Sequence, residues 1–196
     1  MNILIINGSP RKQGLVSQLL GIMKDEALQR GDSVEEVFSN YLNVKPCMGC
    51  MVCRSTGECV LPEDDAQRVL KQLQAADAVI MGAPCYWGNM PGTMKVLFDR
   101  WVYGLMTGFF KPQEPAHIPK PLMKGKRCIL VSTCSMPFPL NIWLNHSRGT
   151  IRAMREVCNN AGIKVVATVE RGGTIQHPTL TQKDVQRCRK VISRLK

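Results

Sequence analysis

Asn2-Ile-Leu-Ile-Ile-Asn7-Gly8-Ser9-Pro10-Arg11-Lys12-Gln13-Gly14 opens the chain. Residues 2–6 are a short apolar run, and Asn-Gly-Ser-Pro ends it, the pattern of a buried strand entering a loop. Apolar residues then return at helical spacing (Leu15, Leu19, Ile22, Met23, Leu28) and stop at Gly31. This strand–loop–helix unit recurs along the chain. Residues 33–38 read as a second strand, and residues 63–76 as a helix whose Glu63, Asp64 and Asp65 suit the positive end of a helix dipole. Residues 78–83 form a strand ending at Pro84, and 91–103 a helix with Pro91 near its first turn. Residues 127–133 are a strand, 147–161 a helix stopped by Gly162, 164–170 a strand and 181–195 a closing helix. Alternation of this kind predicts an α/β domain over residues 1–196 with a parallel sheet of five strands and helices on both faces. Two stretches fall outside it: a cysteine-bearing excursion at 40–62, and a proline- and glycine-containing loop at 104–125 of the length used for lids or interface arms.

At 196 residues the chain is long enough to bury a core without disulfides. Its N-terminus lacks the charged leader and long apolar core of a signal peptide, and no stretch reaches the ~20 apolar residues of a membrane span. A cytoplasmic protein is expected, with no membrane partner and its nine cysteines held as thiols or metal ligands. The net charge of +11 is spread along the chain, with residues 111–127 and 183–196 both basic. No aromatics interleave with those cations and no zinc-finger spacing is present, which argues against nucleic acid. A solvated basic surface that attracts anionic cofactors is the simpler account.

In open α/β sheets, ligands sit beyond the carboxyl ends of the strands. Three loops leave such ends here. The first, residues 7–14, offers Gly8 and Gly14 for tight backbone, Ser9 and Ser17 as hydroxyls, and Arg11 and Lys12 as cations. Backbone N–H groups at the helix start would complete an anion cradle. Leu15 and Val16 rule out the G-x4-G-K-[ST] phosphate loop, and G-x-G-x-x-G is absent, so the loop reads as a monophosphate site. An ordinary basic strand-to-helix turn is the alternative. The second loop, residues 83–91, carries Tyr86 and Trp87 as flat faces for a planar ring, Gly88 for close backbone approach and Asn89 as an amide; packing over the sheet end is the alternative. The third, residues 132–137, has small polar residues able to rim the same cleft.

Four cysteines fall within thirteen residues: Cys47-Met-Gly-Cys50-Met-Val-Cys53-Arg-Ser-Thr-Gly-Glu-Cys59. C-x2-C-x2-C supplies three thiolates from one turn-like segment, as a [4Fe–4S] cluster needs. Structural zinc usually pairs two C-x2-C knuckles across a longer spacer, and free or disulfide-linked thiols remain a third reading. Cys128 reads as core, and Cys158 and Cys188 as helix packing or surface. Cys85 and Cys134 sit in the second and third loops, near any cleft ligand or simply packed as small residues. His117, His146 and His177 stand alone, without metal-ligand spacing.

Gly8-Ser-Pro-Arg-Lys-x-Gly14, then Pro84-x-Tyr86-Trp87-Gly88, then Leu97-Phe-Asp99-Arg100 resemble the NAD(P)H-dependent FMN reductase family of flavodoxin-like proteins. Adding Cys47, Cys50, Cys53 and Cys59 makes the chain resemble that family's iron–sulfur flavoprotein subgroup. The resemblance covers nearly the whole chain. It implies a flavodoxin-like three-layer sandwich with strand order 2-1-3-4-5. It also implies FMN with its phosphate on Ser9, Arg11, Lys12, Gly14, Leu15, Val16 and Ser17. The isoalloxazine would rest against Pro84, Cys85, Tyr86, Trp87, Gly88, Asn89 and Met90, with Thr133 on the rim. A [4Fe–4S] cluster on Cys47, Cys50, Cys53 and Cys59, NAD(P)H or a ferredoxin-type donor, and a homodimer or homotetramer complete the implied picture. No side-chain acid, base or nucleophile is required, because the chemistry belongs to the cofactor. After Gly14 the family often has Asn and then Thr or Ser; here Leu15 and Val16 leave Ser17, or backbone donors with Arg11, to hold the phosphate. From another class, a non-enzymatic, zinc-containing basic module that binds nucleic acid is the competing expectation.

Overall fold

The computed structural model describes residues 1–109 and 118–196. Part of the expected 104–125 loop, together with His117, lies outside the described residues.

The chain begins with strand β1 (Asn2–Asn7), helix α1 (Leu15–Gln29) and strand β2 (Ser33–Phe38). After a 3-10 turn, the cysteine excursion contains the four-residue helix α2 (Cys53–Thr56). Helix α3 (Asp65–Ala75), strand β3 (Ala78–Pro84), helix α4 (Gly92–Arg100) and the short α5 (Val102–Leu105) follow. Two-residue strands β4 (Met106–Thr107) and β5 (Lys120–Pro121) pair antiparallel. Strand β6 (Arg127–Thr133), the short α6 (Leu140–Trp143), α7 (Ser147–Ala161), β7 (Lys164–Arg171) and α8 (Gln182–Ile192) complete the order.

The main sheet runs β2-β1-β3-β6-β7, all parallel, which is 2-1-3-4-5 when its own five strands are counted. That is the expected flavodoxin-like arrangement. Strand alternation divides the apolar residues between two faces. Leu4, Ile6, Val79, Met81 and Leu130 pack one way, against α3, α4 and α7. Ile3, Ile5, Ile80, Ile129 and Val131 pack the other way, against α1 and α8. The order changes direction at β1, whose neighbours are β2 and β3, so β1 and β3 end together beside the uncovered crevice.

Helix ends differ from expectation by a residue or two, with visible causes. Asp64 is the N-cap of α3, accepting from the Ala66 amide, and so stands outside the helix it starts. The helix expected to reach Tyr103 breaks at Trp101, whose indole Nε1 donates to Ala66 O at 2.7 Å. Gly162 stops α7 at φ +80°, as its position in the sequence suggests. The basic C-terminal stretch has a structural use. Strand β7 is an edge, and Arg187 and Arg194 donate to its Thr168 and Val166 carbonyls at 3.1 and 3.5 Å. Among the described residues no helix is long and apolar enough to cross a membrane.

Candidate functional site: a cleft at the switch point and a cysteine segment beside it

The loop between β1 and α1 is wired to itself. Asn7 Oδ1 accepts from the Ser9 amide at 3.0 Å, and Asn7 Nδ2 donates to Ser17 Oγ at 3.1 Å and to Glu36 Oε1 at 3.1 Å. Ser9 Oγ accepts from the Arg11 amide and donates to the Arg11 carbonyl. Ser17 Oγ donates to that same carbonyl at 2.8 Å. Asn7, Ser9 and Ser17 are buried, so each of these bonds has little water to compete with it. Gly14 begins the helix as its N-cap, and no side chain caps it. A Cβ on Gly14 would lie 3.2 Å from Ser9 Oγ and 3.2 Å from Arg11 O, filling the hollow of the loop. The first turn of α1 carries no acidic residue, so the orphan amides of the turn keep their partial positive charge unopposed. Arg11 and Lys12 add exposed cations. Lys12 Nζ lies over the Tyr41 ring, 5.1 Å from its centroid.

The opposite wall comes from the end of β3. Tyr86 and Asn89 exchange backbone hydrogen bonds at 2.9 Å each, closing a tight turn with Trp87 at φ +52° and Gly88 at φ +72°. Trp87 is fully exposed in this left-handed conformation, one that costs a non-glycine residue about 1–2 kcal/mol. The turn is pinned from behind by α7. Thr150 Oγ1 donates to Asn89 O at 3.0 Å, and a Cβ on Gly149 would overlap the Gly88 carbonyl. Asn89 Oδ1 accepts from the Met90 amide, and Met90 is buried in the core.

Between these walls lies a cleft of about 650 Å³, within the usual range for a cofactor-sized ligand. Ser9, Arg11, Gly14, Leu15, Val16, Pro84, Cys85, Tyr86 and Thr133 line it together. Ser17 stands behind the loop as a brace, and Lys12, Trp87, Gly88, Asn89 and Met90 are outside the lining. Gln13 and Gln18 join it from α1 and its loop, and Thr174, Ile175 and Pro178 from the β7–α8 connection. Sequence reasoning missed that connection, because only the strand order brings it to the cleft. A usable signal was present: Gly172-Gly173 directly follows a strand's carboxyl end.

The cysteine segment lies apart from this lining. Cys47 and Cys50 are exposed, Cys53 and Cys59 half-buried, and all four are free thiols. Left-handed backbone at Gly49, Met51 and Gly57 folds the segment back on itself. Burial pushes the Cys53 thiol up, and the neighbouring charges of Cys59, Cys47 and Cys50 push it further, so the four sulfurs share one neighbourhood. Among the described residues no three side chains converge closely enough to hold a single metal ion. A cubane spreads its ligands more widely than one ion does, and four soft thiolates from a compact segment match its donor set. The base of the segment is held by Arg100, which is buried. Its guanidinium donates to Asp64 Oδ2 at 2.6 Å and to Lys45 O at 2.8 Å. Burial pushes the Asp64 carboxyl up, yet the amides of Ala66 and Lys45 and the Arg100 charge together hold it below its ordinary value. Burial lowers the Arg100 pKa, Asp64 and then Cys59 raise it, and the net shift is upward.

A profile of the NADPH-dependent FMN reductase family matches residues 1–171. The chain belongs to that family. Its curated relatives include an iron-sulfur flavoprotein of Methanosarcina thermophila, 39% identical over 102 residues that cover 52% of this chain and 53% of that protein. A second, from Archaeoglobus fulgidus, is 38% identical over 100 residues, 51% of this chain and 48% of that protein. The chain thus spans about half the length of the curated relatives it matches. Among solved structures, an NAD(P)H:quinone oxidoreductase from Methanothermobacter marburgensis superposes with a TM-score of 0.74 at 16% identity, covering 100% of this chain and 96% of that one. An FMN-dependent NADH-azoreductase from Bacillus anthracis in complex with FMN gives 0.70 at 15% identity, covering 100% and 99%. These structural likenesses carry the fold.

Proposed function

We propose that the chain is an FMN-dependent oxidoreductase of the flavin reductase type, taking electrons from NAD(P)H or a ferredoxin-type partner. The observation that carries this reading is the uncapped, acid-free start of α1, opening with Arg11 onto a cleft whose other wall is the pinned Tyr86–Asn89 turn. Family membership supports the cofactor, and the iron-sulfur flavoprotein names of its relatives support a [4Fe–4S] cluster on Cys47, Cys50, Cys53 and Cys59.

When bound, FMN would supply the two-electron chemistry. The protein's part is to hold and shield it. The amides of Leu15, Val16 and Ser17 would meet the phosphate, with Arg11 offsetting its charge. Ser9 and Ser17 keep the loop in shape by tying up the Arg11 backbone, a brace in place before any ligand arrives. Pro84, Cys85 and Tyr86 would face the ring, and the fixed turn would keep backbone amides at one position along its edge. Exposed Trp87, Trp143 and Leu144 beside the cleft support a homodimer or homotetramer that covers them. The free state of all nine cysteines supports a cytoplasmic setting.

Titration of the protein with FMN, followed by flavin fluorescence, tests this reading. Quenching to a saturable end point is expected, and Arg11→Ala should raise Kd about tenfold, the loss of roughly one charge-assisted contact. No quenching at saturating FMN would overturn the reading.

A further inference from the structure

Two cysteines outside the 47–59 segment meet on the floor of the cleft. Cys85 directly follows the last residue of β3, and Cys134 the last residue of β6. The parallel register reaches to one residue before each cysteine. Pro84 faces Thr133 in register, and the Cys85 amide donates to Thr133 O at 2.8 Å. That bond closes the Pro84–Thr133 pair and sets Cys85 beside the peptide that leads into Cys134, on strands whose usual spacing is about 4.8 Å. Residues that follow a register pair on strands at that spacing fall within the Cα window of roughly 4.4–6.8 Å that a disulfide spans. Both residues line the cleft, and the charge of Cys85 is felt at Cys134.

We propose that Cys85 and Cys134 form a reversible dithiol–disulfide couple on the cleft floor, opened and closed by exchange with low-molecular-weight thiols and disulfides such as glutathione. The two sulfurs are unequal. Cys85 is half-buried and reachable through the cleft, whereas Cys134 is buried. The Cys134 thiol donates to Met136 O at 3.4 Å, and the amide of Ser147, the first residue of α7, lies close to its sulfur. The first turn of a fifteen-residue helix therefore faces this thiol and favours its anion. Burial works against that anion, as does the charge of Cys85, and the Cys134 thiol is raised on balance. In closure, the Cys85 thiolate attacks oxidised glutathione, the glutathione S–S bond breaks and one glutathione thiol leaves. Cys134 then gives up its proton and attacks the mixed disulfide at Cys85, releasing the second glutathione thiol. One protein dithiol and one oxidised glutathione thus become one protein disulfide and two glutathione thiols; opening is the reverse. Cys128 and Cys158 form a second neighbouring pair, but both are sealed in the core and no exchange partner can reach them. The inference rests on the strand ends and the cleft. The proposed flavin would face Cys85, so the exchange belongs to the chain with its cleft free of FMN, and thiol mapping is done without added FMN.

The test is residue-specific thiol mapping of the full chain, equilibrated in glutathione buffers of increasing oxidation, quenched by alkylation and digested for mass spectrometry. The expected result is a peptide pair joined through Cys85 and Cys134, lighter by two hydrogens and released by a dithiol reductant. Cys134→Ser should instead accumulate glutathione on Cys85, while Cys85→Ser should leave Cys134 unmodified. The proposal is overturned if wild-type Cys85 holds glutathione as a stable adduct with Cys134 still reduced. It is equally overturned if both residues stay alkylatable in a buffer that oxidises the exposed Cys47 and Cys50.

Discussion

The loop before α1 and the cysteine segment are both candidate cofactor holders, and they are built in opposite ways. The loop is buried and braced by its own hydrogen bonds: three side chains, Asn7, Ser9 and Ser17, fix the backbone of Arg11 and the start of a fifteen-residue helix. The cysteine segment is largely exposed, turns through three left-handed residues and is tied down by the buried Arg100 at its base. A phosphate needs a preformed ring of donors, which a chain can supply alone. A metal cluster brings its own geometry, so its ligands can be delivered on a segment whose order comes from the cluster. The difference teaches that the cleft is specified by the fold, and that the cysteine segment, if it holds the proposed cluster, takes its order from what it binds.

The comparison breaks most severely at Arg100. Its side chain is 1% exposed and that of its partner Asp64 is 9% exposed. Arg100→Met should leave a buried carboxylate without its cation and cost about 3–5 kcal/mol. Urea unfolding measures this; a loss under about 1 kcal/mol would mean that the segment is anchored elsewhere. Iron uptake should fall with it, while FMN affinity per folded molecule stays unchanged.

Ser17→Ala attacks the other side. It removes the hydroxyl that joins Asn7 to Arg11 O and should cost about 1–2 kcal/mol. Because the brace is lost, FMN affinity should drop about tenfold while iron content holds, as paired fluorescence and iron assays would show. Acid adds a further distinction. The folded Asp64 carboxyl lies below its ordinary value of 3.8. Its contribution to stability is therefore complete above that value and fades as pH falls through the lower folded one. Unfolding midpoints measured from neutral pH to well below 3.8 should show this loss in wild type and its absence in Asp64→Asn.

The smallest effect belongs to Trp87. Trp87→Gly relieves a left-handed tryptophan that is fully exposed, so thermal stability should rise by about 1 kcal/mol while FMN affinity or self-association weakens. No gain in stability would show that the tryptophan packs against something in solution.

Much of this was legible in the sequence. The sheet followed from alternating apolar runs and helical periods, since strands buried on both faces read as unbroken Ile, Leu and Val. The three cleft loops followed from the rule that ligands gather at strand carboxyl ends. What escaped depended on contacts distant in sequence. Trp87-Gly88 carries no hairpin signature, because tryptophan rarely takes a positive φ; the turn exists because α7 presents Gly149 and Thr150 behind it. Lys12 reads as a phosphate cation in the sequence, and only the fold sets it over the Tyr41 ring. Arg100 appeared as a motif ending, and only the fold reveals it as the buried support of the cysteine segment.

The most direct test is to assay FMN, iron and acid-labile sulfide together. The samples are wild type and a variant with Cys47, Cys50, Cys53 and Cys59 all changed to Ser, each purified without oxygen. The account predicts FMN with about four irons per chain in wild type, and FMN without iron in the variant. Loss of FMN along with iron in a folded variant, or a wild-type protein that takes up neither, would contradict it.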